Sequence, residues 1–508
     1  MPPIHGSQLV WLTLAVSLGI FMNVLDSAIA NVAIPTIAGN LAVSADEGTW
    51  VITSFTVSMA IMLPLTGWLS RRFGEVRLFV LSTILFTLAS VLCGLSNSLG
   101  MLVVCRVIQG AVAGPMIPLS QSLLLSNYPA DKKGLATSLW ATVAVAAPVV
   151  GPIMGGWITD NISWPWIFYI NVPVGIFSAY LTWSILRERE TEITKQPVDY
   201  IGLILLTIGI GSLQVLLDQG KDLDWFNSNV INTLAVTSFV CISFLIAWEL
   251  TEKNPIIDLS LFKRRNFTIG TIAISLGYMT FFGSVVVLPL WLQTQMNYTA
   301  TWAGLATAPL GIMPLIVSPL MSVLMGRFDL RILISFGFIV FAFCCFWLAG
   351  FDTDIGFSNV ALIRFIQGIG LPFFFIPTIA MLLSGLPNKS IASASGLSNF
   401  LRILAGSFGT SISVTLWSNR EAIHQSKLVE SLTSYQPLMT QTLKALHEAG
   451  LSDQTSYAKV LSLLVNQAYM LATNDIFWVS GFIFLSLFVL VWFAKPPFLG
   501  KNTNIVIE

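Results

Sequence analysis

Charge is what this sequence has least of. Only 10% of its 508 residues are Asp, Glu, Lys or Arg, against roughly a quarter in a soluble protein. The 25 basic and 25 acidic residues cancel, so no basic excess points to nucleic acid as a partner. Histidine is scarcer still: His5, His424 and His447 all lie outside the apolar runs. With no metal-ligand cluster, phosphate loop or nucleophile–base arrangement, neither an enzyme nor a cofactor is expected. The five cysteines (Cys93, Cys105, Cys241, Cys344 and Cys345) fall within apolar runs, which argues against a disulfide framework. What is abundant is apolar: 55% of residues, with a mean hydropathy of +0.80. The runs are far longer than the roughly 10 residues of a barrel strand. The expectation is an all-α integral membrane protein in contact with the lipid bilayer.

Fourteen spans are predicted, near 10–34, 50–70, 78–96, 101–125, 135–158, 166–186, 198–217, 230–250, 268–292, 302–325, 331–350, 357–383, 391–417 and 475–494. The first is read as a retained span, because no basic region precedes it. Basic residues alternate with the spans. One side carries Arg71, Arg72, Arg77, Lys132, Lys133, Arg187, Arg189, Lys195, Lys253, Lys263, Arg264, Arg265, Arg327, Arg331, Lys389, Lys495 and Lys501. The short loops of the other side carry Lys221 alone, and Asp46, Glu47, Asp160, Asp222, Asp224, Asp352 and Asp354 collect there. The positive-inside rule then puts both termini in the cytoplasm of a multi-pass plasma (inner) membrane protein. The segment 418–474 reads as an outer loop with one or two amphipathic helices, from apolar spacing at Leu428, Leu432, Tyr435, Met439, Leu443 and Leu446, interrupted by Pro437, and again at Tyr457, Val460, Leu461 and Leu464.

Two charged stretches nearly repeat. Arg106-Val-Ile-Gln109-Gly110 precedes Pro115 and Pro118, and Arg364-Phe-Ile-Gln367-Gly368, 258 residues later, precedes Pro372 and Pro377. Each arginine costs ~2.5 kcal/mol or more within a bilayer. Gly67-Trp-Leu-Ser-Arg-Arg72-Phe73-Gly has a fainter echo at Ser322-Val-Leu-Met-Gly-Arg327-Phe328-Asp, offset by 255. Spans one to six thus match spans nine to fourteen. The predicted organisation is a six-helix bundle over 1–197, two inserted helices over 198–266, and a second six-helix bundle over 267–508 that includes the outer loop 418–474. Halves alike in sequence and orientation imply a pseudo-two-fold axis along the membrane normal.

Asp26 is the carboxylate placed well inside a span. Asn23, Asp26, Ser27 and Asn31 share one helical face. Asp26 lies nine residues from Pro35 and Arg106 six from Gly100, roughly 14 and 9 Å below the outer surface. They are expected to meet, or to share water, in a central cavity. Burial raises a carboxyl pKa and a nearby cation lowers it, so such a pair can be poised to take and release a proton. Gln109, Arg364, Gln367, Asn399 and Arg402 are the further cavity candidates. Arg364 also fits a structural role, having no evident acid partner. Arg402 follows Ser395 and Asn399 at helical spacing and either faces the cavity or snorkels. Pro148, Gly151, Pro152, Gly155 and Gly156 give span five a smooth, bendable contact face. Gly67, Arg71, Arg72 and Gly74 belong to an inner loop, read as a tight turn that either latches that side shut or anchors it by charge.

Together these stretches resemble the major facilitator superfamily, and specifically its fourteen-span drug:proton antiporters of the EmrB/QacA type. The resemblance covers about residues 11–494. It rests on Leu25-Asp26-Ser-Ala-Ile-Ala-Asn31-Val-Ala-Ile-Pro35, on Gly67 to Arg77, on Arg106-x-x-Gln109-Gly110, on Pro148-x-x-Gly151-Pro152-x-x-Gly155-Gly156, and on Trp164 through Gly175. Ser70 stands where many members have Asp, so a charge relay through that position is not implied. The resemblance implies proton-coupled efflux of amphipathic small molecules by alternating access, with Asp26 and Arg106 in proton coupling. A proton-coupled importer or facilitator of a metabolite on the same fold is the alternative. Members of the EmrB type in two-membrane bacteria pair with a periplasmic adaptor and an outer-membrane channel, and segment 418–474 is the surface such a partner would meet.

Overall fold

A computed structural model describes residues 4, 6–43, 45–129, 132–194, 199–220, 223–252, 255–431, 437–496 and 498. Lys195, Lys221, Asp222, Lys253, Leu432, Tyr435, Lys501 and His5 lie outside the described residues, as do the side chains of Asn31, Asp46, Pro148, Pro152, Asp160 and Lys389. The described residues are almost entirely helical and contain no strand. The helices are α1 (Ser7–Asn40), α2 (Trp50–Phe73), α3 (Glu75–Gly94), α4 (Leu99–Asn127), α5 (Lys133–Asn161), α6 (Trp166–Leu186), α7 (Tyr200–Gln219) and α8 (Asn229–Thr251). They continue as α9 (Arg265–Thr294), α10 (Trp302–Arg327), α11 (Leu330–Leu348), α12 (Phe357–Leu382), α13 (Asn388–Ser431), α14 (Pro437–Glu448) and α15 (Asp453–Val491).

Thirteen of these are long and apolar enough to cross a membrane, among the described residues. The exception besides α14 is α5, whose 29 residues span roughly 44 Å, more than a ~30 Å hydrocarbon core. Apolar side chains cover the outside: Phe239 and Phe244 on α8 and Tyr180 on α6 are exposed. Such a surface suits lipid and not water. Prolines mark the irregular turns, with Pro115 at the break inside α4 and Pro309 at the break inside α10, because each removes a backbone donor.

α1 packs on α5 and α6, and α3 on α4 and α6. α9 packs on α12, α13 and α15, and α11 on α12 and α15. The repeated motifs occupy like positions. A Cβ on Gly110 would lie 2.3 Å from the Phe55 carbonyl of α2, and one on Gly368 would lie 2.6 Å from the Leu310 carbonyl of α10. α7 packs on α8, α2 and α13, bridging through Gln214 to the Ser407 hydroxyl at 2.9 Å.

The segment 418–474, expected to be an outer loop with one or two amphipathic helices, holds the separate helix α14 at Pro437–Glu448, while its two ends continue the membrane helices α13 and α15. α13 has 44 residues and α15 has 39, roughly 66 and 58 Å, so both project well past the bilayer core. Outside the apolar stretch, Trp417 donates to the Thr473 hydroxyl at 2.8 Å, and Asp475 accepts from Arg420 at 2.6 Å and pairs with His424 at 2.7 Å. Polar residues at 418–431 ended the predicted span, but they do not end the helix, since helical hydrogen bonding is indifferent to whether its faces meet lipid or water.

Candidate functional site

Asp26 lies in the middle of α1 and is 1% exposed. Its carboxylate pairs with Nη1 of Arg106. It also accepts hydrogen bonds from Asn171 Nδ2 at 2.9 Å and Gln109 Nε2 at 3.1 Å. Both amides donate as well to the Ser90 hydroxyl oxygen, at 2.8 and 3.0 Å. Arg106 donates through Nε to the Val51 carbonyl at 2.9 Å and through Nη1 to Gln109 Oε1 at 2.8 Å. Its guanidinium lies 4.1 Å from the Phe55 ring centroid and 5.7 Å from that of Phe168. One nitrogen, Nη2, has no hydrogen-bond partner. Five helices, α1, α2, α3, α4 and α6, converge here.

The pair predicted from depth therefore exists, but it sits inside the packing of these five helices and not around an open, shared cavity. The polar face of α1 turns inward: Asn23 donates to the Ala113 carbonyl of α4 at 2.9 Å and is as buried as Asp26. Ser27 is half-buried. Sequence reasoning assigned no role to Asn171 or Ser90. Asn171 stood inside a conspicuous stretch, whereas a single serine in an apolar run carries no signal.

A buried ion pair is costly to break from one side, because the remaining charge stays unpaired. Arg106→Ala is expected to lose about 3–5 kcal/mol. It should appear as a markedly lowered apparent melting temperature in detergent, or as failure to elute as a single species.

The second arginine, Arg364, is equally buried but has no carboxylate among the described residues. It donates to Gln367 Oε1 at 2.6 Å and to the Ser284 carbonyl at 3.0 Å, while its Nε and Gln367 Nε2 lack partners. Both residues sit within the packing of α9, α11 and α12.

Arg402 and Asn399 lie on the seam between the first six spans and the last six. Arg402 Nη2 donates to Asn399 Oδ1 at 2.8 Å, and Asn399 donates to the Ser395 carbonyl at 2.8 Å. Ser395 donates across the seam to Gln121 Oε1 of α4. Nearby, Arg71 donates to the Ser393 hydroxyl at 3.1 Å. A Cβ on Gly67 would lie 2.0 Å from that hydroxyl and 2.9 Å from the Ser393 backbone. Trp140 of α5 stacks on Phe375 of α12, at 6.3 Å and 4°. The seam is thus closed at the end rich in basic residues.

Gly74 is the lone residue between α2 and α3, at φ +87°, a conformation that glycine adopts without strain. Glu190 caps α3, accepting from the amides of Val76 and Arg77 at 3.0 and 2.9 Å. Arg72 lies over Trp68. Ser70 donates to the Gly67 carbonyl at 3.0 Å and forms no relay. On α5, Cβ atoms added to Gly151 and Gly155 would lie 2.5 Å from Ala28 and 3.1 Å from the Ile29 carbonyl. The backbone of α5 thus runs directly against α1 beside Asp26. Gly156 is half-buried.

The sequence profile of the Major Facilitator Superfamily matches residues 16–410. The chain is 54% identical to multidrug export protein EmrB of Escherichia coli (strain K12), over 98% of this chain and 97% of that one. It is 49% identical to fatty acid resistance protein FarB of Neisseria gonorrhoeae, over 98% of each. Among solved structures, the proton:xylose symporter XylE superposes with a TM-score of 0.59 at 14% identity, covering 96% of this chain and 95% of that one. At that identity the likeness concerns fold alone.

Proposed function

The chain belongs to the major facilitator superfamily as a multidrug efflux transporter of the EmrB type, and from the geometry above we propose that it exchanges protons for amphipathic small molecules through Asp26. The carrying observation is the Asp26–Arg106 pair, held by Asn171, Gln109 and Ser90. A carboxylate so tied holds α1 against α4 and α6. Protonation removes its charge and leaves Arg106 to Gln109 and the Val51 carbonyl, which loosens that tie. Because both side chains are fully buried in this conformation, proton entry requires α1 to move. Gly151 and Gly155 supply a surface with no side chain to obstruct the motion.

The moving bodies are residues 1–197 and 267–508, with 198–266 as the insertion. Both termini and the basic end face the cytoplasm of the inner membrane, so the closed seam is the cytoplasmic gate. Gly67, Arg71, Ser393, Ser395 and Gln121 hold it shut. Opening that gate exposes the seam residues Asn399 and Arg402 to substrate. Arg364 and Gln367 serve as the acid-free structural counterpart of Arg106 and Gln109. The projecting ends of α13 and α15, with α14, offer the docking surface for a periplasmic adaptor and outer-membrane channel. The similarity to EmrB, named a multidrug export protein, supports export over import.

In energised everted vesicles, adding a transported compound is expected to dissipate the proton gradient when a panel of dyes, uncouplers and lipophilic cations is screened. Import would instead appear as gradient-driven uptake into right-side-out vesicles with no effect in everted ones, and that outcome would overturn the assignment of direction.

A further inference from the structure

We propose that Arg402 and the rings around it form a receptor for the anionic head group of an amphipathic weak acid, such as an aryl or alkyl carboxylate. The inference rests on the efflux reading and names a substrate class for its seam. Arg402 lies 14 residues into α13, roughly 21 Å along the helix axis, deep in the membrane core. It is buried. No carboxylate pairs with it among the described residues, its Nε has no hydrogen-bond partner, and its recorded side-chain partner is the neutral amide of Asn399.

A guanidinium in low dielectric without a counter-ion is costly. Here the compensation comes from aromatic faces. The guanidinium carbon lies 4.7 Å from the Tyr278 ring centroid and 5.0 Å from that of Phe375. Tyr278 packs on Phe282 at 4.4 Å, and Phe375 stacks on Trp140. Cation–π contacts stabilise a desolvated cation much less than a carboxylate partner does.

The three buried arginines divide by their surroundings. Arg106 has Asp26. Arg364 is walled inside one set of helices. Arg402 alone lies on the face of α13 that meets the other body, about two turns beyond the Ser395–Gln121 contact, with a half-buried Tyr278 beside it and with Phe375, which stacks on Trp140 of the other body, next to it. A planar carboxylate fits the free edge of a guanidinium as a forked hydrogen-bonding partner, and the rings from α5, α9 and α12 provide apolar surface for an attached aryl or alkyl body. The countercharge absent from the protein is thus supplied by the cargo.

The test uses the full-length protein in detergent and a matched pair of probes, 2-naphthoate and its neutral amide 2-naphthamide, with binding followed by calorimetry. Wild type is expected to bind naphthoate about tenfold or more tighter than naphthamide, as a charge-assisted hydrogen bond requires. Arg402→Gln should erase that preference while leaving naphthamide binding in place. Should Arg402→Gln fail to elute as a single species, Arg402→Lys decides: it is expected to keep a reduced preference for the anion. Equal affinity of wild type for the two probes, or an unchanged preference in either variant, overturns the proposal. Gradient dissipation by lipophilic cations in vesicles reports on the efflux reading separately. If cations dissipate the gradient and naphthoate does not bind, efflux stands and the anion receptor falls.

Discussion

Asp26→Asn is expected to abolish proton-driven export in everted vesicles, to about one-hundredth of wild type or less, while the protein still inserts and folds. The asparagine cannot carry a proton between the two sides, and Arg364, the counterpart of Arg106, has no carboxylate partner among the described residues to play the same part. Folding should survive because the protein already contains the equivalent arrangement. Arg364 is buried with a glutamine and a backbone carbonyl as hydrogen-bond partners, and its helices pack regardless. The asparagine oxygen can still accept from Asn171 or Arg106. Two readouts separate coupling from collapse. The variant should elute as a single species, and it should still exchange labelled substrate for unlabelled substrate with no gradient imposed. Full export by Asp26→Asn at an imposed pH gradient would remove Asp26 from the mechanism.

Gly67→Leu is expected to cost export more than tenfold by a different route. A Cβ at position 67 would lie 2.0 Å from the Ser393 hydroxyl and 2.9 Å from its Cα. The second of these is backbone and cannot rotate away. α2 and α13 would then be forced apart at the basic end, and the hydrogen bond from Arg71 to Ser393 would be lost with them. The closed gate becomes unfavourable, whereas a conformation with that end open has no such clash. The variant should accumulate open to the cytoplasm. A cysteine pair at positions 121 and 395, which touch across the gate in the closed form, should crosslink readily in an otherwise wild-type, cysteine-free background and poorly when Gly67→Leu is added. Equal crosslinking in both would show that the seam absorbs the side chain without opening.

How much of this was legible beforehand depended on the kind of signal. Apolar runs gave the helices. The doubled Arg-x-x-Gln-Gly marked like positions, and the close approaches at Gly110 and Gly368 occur at corresponding places. The depths of Asp26 and Arg106, counted along two helices, brought the pair together. Direction was the missing quantity. Spacing of three and four says that Asn23 and Asp26 share a face; it does not say whether that face meets a neighbour or the seam, and it meets α3, α4 and α6. Ser90 and Asn171 were invisible as partners because each is one polar residue on its own helix. Tyr278 and Phe375 were hidden for the opposite reason, since aromatic residues are ordinary core material and only their convergence on Arg402 makes them distinct. Segment 418–474 was read as surface because its polar residues match water, but the same residues leave the backbone of α13 and α15 helical far beyond the lipid.

The account stands on one carboxyl group exchanging its proton for cargo. The direct measurement is proton release from purified protein in weakly buffered detergent solution on addition of a compound that dissipates the gradient in vesicles. Wild type is predicted to acidify the solution in step with binding, and Asp26→Asn to bind without acidification. Equal proton release from the two proteins would contradict it.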